Sequence, residues 1–84
     1  MADVRWGRNA LGYVLELNPK NRDRLSSQVK RLGLFPRLGV PLLGPYQGKR
    51  RLVVGPFSVV YEYDFDSDVV SVLAITRGWP PRPL

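Results

Sequence analysis

The side chains best suited to act on another molecule are cations: Lys49, Arg50 and Arg51 near the middle, then Arg77 and Arg82. Lys49 and Arg51 stand two residues apart, so on a strand they share one face while Arg50 takes the other. Cations grouped in this way can hold a phosphate and stabilise negative charge that develops on it. As strand-end charges they would instead blunt an exposed sheet edge, and spacing alone favours that plainer role. Glu62 lies on the polar side of an alternating stretch with only Asp64 for company, thin support for a general base. Asp64, Asp66 and Asp68 alternate as in a calcium loop but lack its central glycine and downstream glutamate, which makes them hairpin-turn residues. Trp79, flanked by Gly78 and Pro80, is placed to be exposed and to stack on a base or dock a partner.

What is missing narrows the chemistry further. The chain has no histidine and no cysteine, which excludes imidazole acid–base catalysis, a thiol nucleophile, disulfide staples and the usual Cys/His zinc sites. No Walker loop, HExxH or Gly-x-Ser-x-Gly pattern occurs, so no cofactor or metal is implied. The net charge of +6 favours a polyanionic or acidic partner, and its distribution is uneven. Residues 1–51 hold eleven of the thirteen basic residues against Asp3, Glu16 and Asp23, whereas residues 52–84 carry a small net negative charge. Ten of the thirteen are arginine, the residue suited to bidentate phosphate contacts, although two helices with solvated basic faces explain the same run.

The elements that must position these residues are read from periodicity. Eighty-four residues with 44% hydrophobic content make a single domain over residues 1–84, with a core small enough that a permanent partner would add to its stability. Val4 and Trp6 suggest a short opening strand. Ala10, Leu11, Val14, Leu15 and Leu17 give residues 8–17 a helical stripe, and Leu25, Val29 and Leu32 give a second helix its apolar face. Asn18-Pro19 between them reads as an N-cap followed by proline at the first helical position. Residues 35–48, dense in proline and glycine, read as a connecting loop without regular structure. Strands are expected at 51–54, 57–65 and 69–76, with Gly55-Pro56 and Asp66-Ser67-Asp68 as turns. In the middle strand Phe57, Val59, Tyr61, Tyr63 and Phe65 face one way, and Ser58, Val60, Glu62 and Asp64 the other. The class is α+β, ordered β-α-α-β-β-β, with a helical hairpin packed on a small, mostly antiparallel sheet. The opening residues carry no apolar leader and no segment is long enough to span a membrane, so the expected location is cytoplasmic.

Val4-Arg5-Trp6 with Ala10, then Pro41-Leu42-Leu43-Gly44, the run from Lys49 to Tyr63, and Val72 to Gly78 follow one another in a set order. Together they resemble the RelE/ParE superfamily of toxins from bacterial type II toxin–antitoxin systems. The resemblance implies a toxin wrapped by a cognate antitoxin in a heteromeric complex. In the RelE branch it implies a ribosome-dependent endoribonuclease that cuts mRNA without metal, using basic residues and tyrosine. Lys49 and Arg51 match basic positions of that branch's catalytic face, and Arg77 is the third candidate. Arg50, Arg82 and Trp79 are candidates for RNA contact. Ser58 and Pro80 stand where the ribonucleases often have arginine, and the C-terminal tyrosine of many members has no counterpart here. Those departures resemble the ParE branch, which acts on DNA gyrase. A non-catalytic RNA-binding or partner-binding module is the remaining alternative.

Overall fold

The alternating residues of the middle strand organise the sheet, and both helices lie on one side of it. The computed structural model describes residues 1–80; Arg82 lies outside them. In chain order the elements are β1 (Asp3–Trp6), α1 (Arg8–Leu15), α2 (Pro19–Lys30), a 3-10 turn at Arg31–Gly33, β2 (Val40–Pro41), a second 3-10 turn at Gly44–Tyr46, β3 (Arg50–Val54), β4 (Phe57–Asp64) and β5 (Val69–Arg77). The strands lie in the order β1-β5-β4-β3-β2. β1 runs parallel to β5 and every other neighbouring pair is antiparallel.

Local chemistry accounts for the helices. Asn18 accepts the Asn21 backbone N–H at 2.9 Å and Pro19 opens α2, so the cap reads as its sequence suggests and contributes about 1 kcal/mol. Ala10 and Val14 of α1 and Leu25 and Val29 of α2 are buried, joined by Leu32 from the 3-10 turn. They pack on Val54, Phe57, Val59, Tyr61, Val70, Val72 and Ile75 of the sheet, and Tyr13 meets the Phe57 ring edge-on at 6.3 Å. The β3–β4 turn is tight because Gly55 takes φ +57°, a conformation open to glycine at little cost.

The loop expected at 35–48 is more ordered than its composition suggests. Val40 and Pro41 pair with Arg51 and Arg50 to form a two-residue edge strand, where a proline is tolerated because one side needs no donor. Tyr61 holds this segment in place: its hydroxyl donates to the Pro36 carbonyl and accepts the Gly39 N–H, both at 2.8 Å. A Cβ at residue 39 would sit 2.7 Å from the Tyr61 ring, so that approach requires glycine. Burial pushes the Tyr61 hydroxyl above its ordinary pKa and keeps it a neutral donor.

One irregularity matters for the site. Val60 pairs with Ala74 but Tyr61 pairs with Val72, so Leu73 is an extra residue on β5. The bulge reverses the facing of every β5 residue beyond it. Buried positions accordingly step from Val70 and Val72 to Ile75.

Candidate functional site

Because neighbouring residues on a strand point to opposite faces, the helices cover the face of Phe57, Val59 and Tyr61 and leave that of Ser58, Val60 and Glu62. Among the described residues no helix covers this second face. At its centre the Lys49 ammonium lies 3.4 Å from a Glu62 carboxylate oxygen. Beside them the Arg51 Nε donates to the Ser58 hydroxyl at 2.9 Å. The Arg51 guanidinium also lies 4.7 Å from the centre of the Trp79 ring, and Trp79 stands 5.5 Å from Tyr46. Ser58 is thereby buried and satisfied although it faces away from the helices.

The structure brings Lys49 and Arg51 together, as their spacing predicts, and separates Arg77 from them. Arg77 pairs with Phe57 and its guanidinium lies 5.2 Å from the Phe57 ring centre, on the helix side. The Leu73 bulge is the cause. Counting by twos from Ser71 would put Arg77 on the uncovered face, and the extra residue turns it over. Arg50 is committed elsewhere, since its Nη1 donates to the carbonyls of Gly39 at 2.8 Å and Arg37 at 3.3 Å. Trp79 is half-buried over Arg51 and not exposed as its neighbours suggest. Glu62 gains weight from its cation partner, and Tyr46, read as loop, supplies the second aromatic ring. The acidic run forms a turn: the Asp64 carboxylate accepts the backbone N–H of Asp66 at 3.0 Å and of Ser67 at 3.5 Å. The Ser67 side chain first, and then those backbone bonds, hold its pKa below the ordinary carboxylate value. Asp68, at φ +55°, accepts the Tyr63 hydroxyl at 2.7 Å.

This arrangement suits a phosphodiester. With Nε committed to Ser58, Arg51 has its two terminal nitrogens for the forked contact that fits phosphate oxygens. The Lys49 and Glu62 side chains retain 32% and 49% of their exposure, so their pairing is weak and an arriving anion can reorganise it. On the other side of the molecule an apolar cavity of about 530 Å³ lies between β1 and the two helices, lined by Trp6, Leu11, Val14, Leu15 and Val29 with Arg22 and Lys30. No helix among the described residues is long and apolar enough to cross a membrane.

Comparison with known proteins places this fold. The profile described as "ParE toxin of type II toxin-antitoxin system, parDE" matches residues 8–78. The chain belongs to that toxin family, within the RelE/ParE superfamily. Curated protein sequences give no match at a significant level. Among solved structures, the fold resembles the RelBE2 toxin–antitoxin complex from Mycobacterium tuberculosis with a TM-score of 0.83 at 22% identity, over 90% of this chain and 96% of that one. It resembles the intact E. coli RelBE complex with a TM-score of 0.77 at 18% identity, over 98% and 100% of the two chains. The chromosomal ParDE system of P. aeruginosa gives a TM-score of 0.71 at 24% identity, over 93% and 97%.

Proposed function

We propose that this toxin is a RelE-like endoribonuclease that cuts mRNA on the ribosome and is held inactive by a cognate antitoxin. The observation that carries the reading is the Lys49–Glu62 pair beside Arg51 on the uncovered face. Glu62 takes the proton from a ribose 2′-hydroxyl as that oxygen attacks the adjacent phosphorus. Arg51 holds the non-bridging oxygens and balances their growing charge. Lys49 hands a proton to the departing 5′-oxygen, so the products are a 2′,3′-cyclic phosphate and a 5′-hydroxyl. A partly exposed carboxylate is a modest base, and most of the rate must come from alignment of the 2′-oxygen with the scissile bond. An mRNA already held by the ribosome supplies that alignment, which a shallow open sheet does not.

The antitoxin reading rests on the apolar cavity. A segment with apolar side chains for Leu11, Leu15 and Trp6 and acidic ones for Arg22 and Lys30 would complete a small core. A gyrase-directed toxin is the second reading, favoured by Ser58 and Pro80 at positions where the ribonucleases often have arginine. Primer extension on translating ribosomes, run beside a gyrase supercoiling assay, separates the two. We expect discrete mRNA cuts and normal supercoiling; inhibited supercoiling with intact mRNA would replace the ribonuclease reading by the other.

A further inference from the structure

We propose that Arg5 is a second phosphate-binding residue and that single-stranded RNA crosses the open face from Arg51 to Arg5. The inference rests on the ribonuclease reading and adds a subsite to it. Arg5 of β1 stands opposite Ser71 of β5, and Ser71 stands opposite Glu62 of β4. With Lys49 paired to Glu62, a row of Arg5, Ser71, Glu62 and Lys49 runs across the sheet at right angles to the strands. Two strand spacings of ~4.8 Å separate β1 from β4, which puts the Arg5 strand ~10 Å from the reacting pair. Between them lies a polar trough of about 650 Å³ lined by Arg5, Ser71, Glu62, Asp64, Ser67 and Gly48.

The two arginines at the ends of this path are set in the same way. Arg5 donates its Nε to the Asp3 carboxylate at 2.9 Å, as Arg51 donates its Nε to Ser58. In both, the terminal nitrogens have no hydrogen-bond partner among the described residues. The Arg5–Asp3 side chains keep 69% and 61% of their exposure, so the contact contributes little to stability; what it does is orient the guanidinium. Asp64 also lines the trough and repels a phosphate from the turn end, which leaves the Arg5 end as the favourable exit for the backbone. The ligand class is a single-stranded ribonucleic acid longer than the reacting dinucleotide.

The test measures binding by the full chain carrying Glu62→Gln, which slows cutting ~10²-fold and leaves the RNA intact while binding is read. The probes are a dinucleotide and a labelled single-stranded RNA of roughly ten nucleotides, within the site sizes of ~4–16 known for single-strand binders. Added Arg5→Gln should weaken the longer RNA about tenfold and lower the salt slope by about 0.7, with the dinucleotide unchanged. Asp3→Asn should bind the longer RNA as well as the parent or better. Equal affinity and slope for Arg5→Gln would overturn the subsite and leave the ribonuclease reading intact. Equal weakening by Asp3→Asn would also overturn it, since the ion pair and not the free guanidinium would then matter. No affinity of the parent for the longer RNA would overturn the subsite as well, and primer extension on translating ribosomes then decides the ribonuclease reading by itself.

Discussion

The two faces of the sheet both carry arginine, and they use it differently. On the helix side Arg50 clamps the carbonyls of Gly39 and Arg37, and Arg77 lies on the Phe57 ring. On the open side Arg51 and Arg5 are each held through Nε, with no hydrogen-bond partner for the terminal nitrogens among the described residues, and Arg51 also lies against the Trp79 ring. A net charge of +6 therefore overstates the cation available to a ligand. What marks a binding surface is how a cation is engaged, because a guanidinium consumed by backbone carbonyls is structural whatever its charge. Val59, Val70 and Val72 are fully buried under the helices, whereas the open face buries Val60 and is polar along the Arg5–Lys49 row.

Substitutions can sharpen this contrast, beginning with the helix side. Leu25 is fully buried, and Leu25→Ala should cost about 3 kcal/mol of stability in urea unfolding, within the 2–5 typical of such truncations. Next come the reacting residues. Glu62→Gln and Lys49→Ala should each lower the cleavage rate ~10²-fold with an unchanged unfolding midpoint. Equal loss of stability and activity in these two variants would erase the distinction between the faces. Tyr61→Phe should cost about 1–3 kcal/mol, because it strands the Gly39 N–H and the Pro36 carbonyl. Faster hydrogen exchange at Gly39 would locate that loss in the 36–41 segment. The smallest effect concerns pH. Asp64 has a lowered pKa in the folded chain, so it stabilises the fold above the ordinary carboxylate pKa and the benefit is lost as pH falls through the folded value. Unfolding midpoints of wild type and Asp64→Asn should converge in acid and separate toward neutrality; a gap constant with pH would rule out this role.

Much of this is legible in the sequence. The helical stripes, the Asn18-Pro19 cap, the two hairpin turns and the shared face of Lys49 and Arg51 are local features, and local periodicity reports them. The position of Arg77 is not, because a single extra residue at Leu73 inverts the facing of the rest of β5, and β-branched residues mask the change of phase. Arg5 is hidden for another reason: its neighbours come from the parallel pairing of β1 with β5, a contact across most of the chain that no local pattern encodes. Val40–Pro41 carries no local strand signal because its order comes from residues outside the segment, Arg50 and Arg51 through pairing and Tyr61 through the neighbouring Gly39.

The central claim is that the uncovered face acts on RNA, and one substitution made on each face tests it most directly. Arg51→Gln and Arg77→Gln remove the same charge from opposite sides of the sheet. Arg77→Gln forfeits only its contact with the Phe57 ring, about 0.5–1 kcal/mol, and the fold survives. In a cleavage assay on translating ribosomes, Arg51→Gln should lose ~10²-fold in rate while Arg77→Gln stays within a few-fold of wild type. Equal losses, or a larger loss from Arg77→Gln, would contradict the assignment of the active surface.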